Sequence, residues 1–400
     1  MVISYCLMKT NIGKVFSKLQ RITTSSLFIP EIDGLRFLAI AIVILFHMNV
    51  FVINKMPFAF SDVPSDHLLI YNFLANGFKG VNLFFVISGF ILAMPFAKYY
   101  LRNEKKVILR NYFLRRLTRL EPPYIITMIA CFFILLLTGR NKIADILPSL
   151  GTSLIYLHNI LPYGPSVNNV AWSLEVEIQF YVLAPLLSAL FILRKYLRRS
   201  IILLTIISLP IVHVFYKLPM ITIYDYLQYF LIGFLLVDLY INEFKITLSR
   251  LASLIIGILL FFIIIYTNIG NATEEIIFMF SILVFYYLAL NDPVWKKVFN
   301  IKWVTAIGGM CYTLYLWHYM VIAAIGNSTI MWRVSDQYLP TLLFQFVIII
   351  PFVIFFSLFF YLFIERPCMD KSWPNKFYAF VKNKLVIHKA VTEVLIDKKD

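Results

Sequence analysis

EIDGLRFLAIAIVILFHMNV, residues 31–50, is the stretch whose reading decides the fold. Twenty residues at about 1.5 Å rise per residue make a helix of about 30 Å, the thickness of the hydrocarbon core of a bilayer. Arg36 and His47 nevertheless lie inside it, where polar groups are costly and usually face a bundle interior or a cavity. The interval between them is close to three helical turns, which places both on one face about 16 Å apart. Asp33, one turn before Arg36, joins the same stripe. Taken singly, Arg36 could snorkel to lipid phosphates and His47 could bond a neighbouring helix. Together on one stripe they favour a working role over either of these readings.

Composition agrees with a membrane protein. The 400 residues are 61% hydrophobic and 14% charged, with mean hydropathy +0.82, outside the balance of soluble globular chains. A net charge of +15 would suit nucleic acid, but long apolar runs separate the basic clusters. The charge is therefore read as orientation in the bilayer, with no nucleic acid among the partners. Cys6, Cys131, Cys311 and Cys368 lack metal-ligand spacing, so no metal site and no disulfide framework is expected.

Apolar runs near 34–54, 79–97, 121–138, 172–193, 200–216, 221–241, 250–268, 274–290, 303–325 and 341–364 predict about ten crossings. The all-α bundle of residues 31–367 forms one domain. The stretch 143–161, interrupted by Pro148, Gly151 and His158, reads as interfacial or re-entrant. With both termini cytoplasmic, only Lys55, Lys79, Arg140, Lys142, Lys217 and Arg333 fall on the outer side. Residues 1–30 read as a basic cytoplasmic segment, either an interfacial amphipathic helix or a tail, and 368–400 as a basic cytoplasmic tail.

Three further clusters carry intramembrane polarity. In AWSLEVEIQFYVLAP, Glu175 and Glu177 are about 200° apart round a helix, so only one can face a given cavity. Ser173, Glu177 and Tyr181 form one edge, with Trp172 at the outer boundary. In GGMCYTLYLWHYMVI, Tyr315 and His318 reach the outer half of the bilayer, the depth expected for His47 and Glu177. NYFLRRLTRLEPPY sets Arg115, Arg116 and Arg119 at the inner mouth ahead of Tyr124. Guanidinium clusters suit a donor bearing several phosphates, and equally an ordinary positive-inside anchor.

In order along the chain, DGLRFLAIAIVILFH, GVNLFFVISGF, RRLTRLEPPY, WSLEVEIQFY, CYTLYLWH and FIERP resemble the motifs of acyltransferase family 3. These are multi-pass membrane O-acyltransferases acting on cell-surface polysaccharides and related acceptors, and the resemblance spans residues 33–367. It implies a cytoplasmic acyl-CoA donor, commonly acetyl-CoA, a carbohydrate hydroxyl as acceptor, and a place in the cell inner membrane. No cofactor would be held permanently. It pairs His47 with Arg36, makes Arg116 and Arg119 the inner arginines, and makes Glu177 the acid of the WSL motif. Asn82 stands where the family often has Asp, and Cys311 where it often has Ser. The chain resembles the stand-alone form, without the added crossing and hydrolase-like domain of fused members.

His47 and Glu177 are thus the expected catalytic residues, and Arg36, Arg115, Arg116 and Arg119 the expected acyl-donor site. Asp33, Tyr124, Trp172, Ser173, Tyr181, Tyr315 and His318 support them. A neutral His47 imidazole could act as general base on the hydroxyl, or could itself carry the acyl group first. Alternative readings are O-acylation of a lipid, peptide or small secreted molecule, or a transporter lined by the same charges.

Overall fold

A computed structural model describes residues 28–379, except 57–58, 63–66, 140, 245, 333, 371 and 377. The expectations for residues 1–27 and 380–400 lie outside the described residues. The described chain is an all-α integral membrane bundle, the architecture that satisfies every backbone N–H and C=O within its own segment. In chain order the helices are α1 (Pro30–Lys55), α2 (Leu68–Ala75), α3 (Gly80–Arg102), α4 (Leu109–Leu137), α5 (Ile143–Leu154), α6 (Trp172–Leu187) and α7 (Lys195–Phe215). There follow α8 (Ile223–Ile241), α9 (Arg250–Tyr266), α10 (Ala272–Asn291), α11 (Pro293–Phe299), α12 (Lys302–Gly309), α13 (Cys311–Thr329) and α14 (Tyr338–Phe360), which runs into a π turn at Tyr361–Glu365.

Among the described residues, eight segments are long and apolar enough to cross a membrane. All ten expected runs coincide with helices, and two of them depart from a simple crossing. The seventh, α9, has 17 residues. Its last carbonyls are met by Lys79, whose buried Nζ donates to Ile265 O at 2.7 Å and Thr267 O at 2.5 Å. A cation at a helix C-terminus satisfies orphan carbonyls and suits the dipole. The ninth run is broken at Met310 into α12 and α13. The third begins earlier than its apolar run, because α4 starts at Leu109 and carries Arg115, Arg116 and Arg119 on the helix itself.

The bundle is apolar on its outside. Leu137, Val182, Leu204, Val347 and Phe355 are exposed, whereas Thr127, Ser153, Gln228 and Gln345 are buried. That distribution would be a liability in water and is ordinary against lipid.

Small residues set the closest approaches. A Cβ on Gly89 would lie 2.2 Å from Phe230 O, and one on Gly233 would lie 2.4 Å from both Phe90 N and Val86 O. The backbones of α3 and α8 therefore touch where these two glycines face each other. Gly233→Val is expected to cost about 1–3 kcal/mol or more by overpacking, read as a lower Tm of the detergent-solubilised chain. An unchanged Tm would mean that the helices can part freely. Gly308 on α12 meets α1 in the same way, since a Cβ there would sit 1.7 Å from Asp33 O. This contact anchors α12 beside the Arg36 turn.

Candidate active site

α1 presents Arg36 and His47 to two different cavities. The first is a cleft of about 280 Å³. Into it come Arg36, Arg115, Arg116 and Arg119, with Glu177 from α6 and Glu365 from the π turn. Arg36 donates to Asp33 Oδ1 at 2.5 Å, and the two side chains are only 13% and 3% exposed. The Asp33 carboxylate thereby holds the guanidinium one turn along the same helix face. The Arg116 guanidinium lies over the rings of Tyr112 and Tyr181, 4.2 and 5.1 Å from their centroids. Arg119 Nε is buried and has no protein partner among the described residues. An unpaired donor on a cation in a cleft is poised for an anionic ligand.

Glu177 belongs to this arginine cleft. Its Oε1 accepts from Ser88 Oγ at 2.5 Å and from Tyr181 OH at 2.7 Å. Glu175 takes the opposite direction, as the angular argument requires. It is buried and accepts from Asn159 N at 2.7 Å, tying the 155–171 segment to α6. Glu365 Oε2 accepts from Thr313 N at 3.2 Å and from Thr313 Oγ1 at 2.5 Å. The first turn of α13 has orphan N–H groups after the break at Met310, and a carboxylate delivered across the bundle caps one of them. A π turn commonly marks a functional position.

The second cavity, of about 360 Å³, is lined by His47. Amides of Asn82, Asn169 and Asn268 line it, with the carboxylates of Asp225 and Glu275 and the rings of Trp172, Tyr226 and Tyr229. Asp225 Oδ2 accepts from Thr222 N at 2.9 Å, and Glu275 Oε1 accepts from Gln228 Nε2 and Tyr229 OH, both at 2.9 Å. Tyr315 borders both cavities. Its hydroxyl donates to Val170 O at 3.0 Å and accepts from Ser173 Oγ at 2.6 Å, which fixes the ring between the two spaces.

The geometry corrects one expectation and divides the polar stripe of α1. Arg36 and His47 share a helix face but line different spaces, which meet at Tyr315. Glu177 lines the arginine space and not the space beside His47. Tyr124, expected with the inner arginines, lines neither space: its hydroxyl donates to Ser153 O at 2.8 Å and its ring stacks on Tyr156 at 4.5 Å, fastening α4 to α5. His318, by contrast, does approach His47, with ring centroids 5.0 Å apart. Among the described residues, no group of three or more His, Cys, Asp or Glu side chains could hold a metal ion.

A family model described as an acyltransferase domain matches residues 29–362. The chain belongs to acyltransferase family 3. It is 26% identical, over 92% of its length, to a Staphylococcus aureus (strain COL) protein provisionally named O-acetyltransferase SACOL0978, of which it covers 63%. It is 25% identical, over 96% of its length, to the O-acetyltransferase OatA of Staphylococcus aureus (strain MRSA252), of which it covers 65%. The chain therefore spans a little under two thirds of the curated relatives it matches. No solved structure matches. Family membership places an acyltransferase domain around the two cavities. It leaves the separate contributions of Ser88, Glu365, Asp225 and Glu275 to the geometry. Ser88 had one sequence signal, a hydroxyl inside the apolar run GVNLFFVISGF. Glu365 had another, a lone acid closing one.

Proposed function

We propose that this chain transfers an acyl group, acetyl in the first instance, from acyl-CoA to a hydroxyl of a carbohydrate acceptor, with acyl-CoA held in the arginine cleft and the acceptor beside His47. The carrying observation is the pair of spaces that meet at Tyr315. One holds four guanidiniums against two carboxylates, which suits the phosphates of a CoA. The other sets flat aromatic rings among amides and carboxylates, the surface that suits the C–H faces and hydroxyls of a sugar. The arginine end faces the cytoplasm by the bias of basic residues, and the membrane is the cell inner membrane.

In the step itself, His47 takes the proton of the acceptor hydroxyl as its oxygen attacks the thioester carbonyl carbon. The C–O ester bond forms, the C–S bond breaks, and the proton on His47 passes to the CoA thiolate. The distance along α1 from Arg36 to His47, about 16 Å by helical rise, is within reach of an extended pantetheine arm. Glu177, fixed by Ser88 and Tyr181, sits with the arginines and orients them around the donor.

Purified chain in detergent, given labelled acetyl-CoA and cell-surface glycan, tests the reading. Label recovered covalently on glycan supports it. Label moving to a lipid or peptide instead would replace the acceptor class, and no covalent product at all would leave a transporter. Arg119→Gln is expected to raise the KM for acetyl-CoA about 10- to 100-fold with a smaller change in kcat, because one charge-assisted contact to the donor is lost. An unaltered KM would remove Arg119 from the donor site.

A further inference from the structure

His318 sits on α13 with no exposed surface. Its Nδ1 lies 2.9 Å from the carbonyl oxygen of Leu314, one turn earlier on the same helix. A carbonyl oxygen only accepts, so Nδ1 carries the proton, and a neutral ring then leaves Nε2 as a bare lone pair. That Nε2 is buried and has no partner among the described residues. Such an acceptor is costly to leave unmet, and buried exceptions of this kind concentrate at working sites. The aromatic neighbours of the ring are His47, with centroids 5.0 Å apart, and Tyr315, at 5.7 Å. The Tyr319 ring also packs on His47, at 5.2 Å, and its hydroxyl accepts from Asn169 Nδ2 at 3.1 Å. Among the described residues, neither imidazole is in an ion pair with a carboxylate.

We propose that His318 is the positioning residue of His47, its Nε2 accepting the N–H of the His47 ring when the acceptor is bound. The inference rests on the acyl-transfer reading. With one nitrogen of His47 committed as donor to His318, the other is left as a lone pair toward the hydroxyl in the second cavity. When His47 takes the hydroxyl proton, the resulting imidazolium keeps its bond to His318, and the proton taken up leaves for the CoA thiolate as the C–S bond breaks. His318 is never protonated in this cycle. A neutral imidazole thus does the orienting work that a carboxylate does in a serine-hydrolase triad. It does so without placing a fixed negative charge in a low-dielectric interior.

The experiment has two readouts on the full-length chain. The first is ¹⁵N NMR of histidine-labelled protein in detergent. Wild type is expected to show His318 with its proton on Nδ1, and His318→Phe is expected to shift the tautomer balance of His47. A His318 protonated on Nε2, or a His47 spectrum indifferent to His318→Phe, overturns the proposal. The second is kinetic, with labelled acetyl-CoA and cell-surface glycan. His318→Phe keeps the ring volume and should lower kcat about 100-fold, the low end of what a positioned acid–base pair supplies, with KM for acetyl-CoA unmoved. His318→Gln, which returns an acceptor oxygen, should recover much of that loss. Equal losses in both variants, or a rise in KM, would mark His318 as packing alone. If wild type forms no acylated product, the acyl-transfer reading fails. If wild type transfers and His318→Phe transfers equally well, only the present inference fails.

Discussion

His47→Ala is expected to lower kcat for acyl transfer by roughly 100- to 10,000-fold, the span that a positioned general base contributes, while acetyl-CoA still binds with its wild-type Kd. The two halves of this result come from different cavities. His47 lines the space with Asn82, Asp225 and Glu275, and the four arginines line the other. Removing the imidazole therefore takes away the proton acceptor without touching a donor contact. The α1 backbone should tolerate the change, since His47 is half-buried and packs by ring contacts to Phe46, His318 and Tyr319. The measurement is steady-state transfer with labelled acetyl-CoA beside direct titration of the donor. Near-normal transfer would take His47 out of the chemistry. A large rise in Kd for acetyl-CoA would place His47 in the donor site and undo the division between the cavities. A single-turnover experiment adds a further distinction: acetylated His47 trapped on the protein would mean that the ring carries the group rather than the proton.

Much of this arrangement is legible in the chain, and the limits have physical causes. Each long helix is announced by an apolar run of about the length a bilayer demands, a local property that one sequence displays. The stripe Asp33, Arg36 and His47 is also local, since helical periodicity fixes which residues share a face. The same rule correctly separates Glu175 from Glu177, and the structure turns one to Asn159 and the other to Ser88 and Tyr181. Periodicity along one helix says nothing of what stands opposite it. Tyr315 comes from α13 and borders both spaces, so a shared helix face does not become a single lining. The close approach of Gly308 to Asp33 is hidden for the same reason, because it is a tertiary contact. Four arginines from two helices converge only once α1 and α4 are placed, and composition could offer a lipid anchor just as well.

Asp238→Ala is expected to be the most damaging single change to stability, about 3–5 kcal/mol, because it leaves buried cations without a counter-charge. Asp238 on α8 has no exposed surface and pairs through its two oxygens with Arg198 and Arg199 of α7. Arg198 is itself buried, its side chain 3% exposed, and also donates to Leu193 O at 2.8 Å. Asn242 Nδ2 adds a contact to Asp238 Oδ1 at 3.1 Å. The cost arises from desolvation more than from the lost attraction, and this gives the prediction its discriminating form. Asp238→Ala should lower Tm sharply in detergent, whereas Asp238→Leu combined with Arg198→Leu should recover part of the loss, since the double change removes both members of the buried pair. A double variant less stable than Asp238→Ala would mean that the ion pair itself, and not the avoidance of a stranded charge, holds α7 to α8. The consequence reaches the site through α8. Gly233 of that helix packs directly on Gly89 of α3, the residue after Ser88, whose hydroxyl fixes Glu177 beside the arginines. Loosening α7 from α8 should therefore raise the KM for acetyl-CoA at temperatures below the unfolding transition. An unchanged KM up to the onset of unfolding would show that the arginine cleft does not depend on this seam.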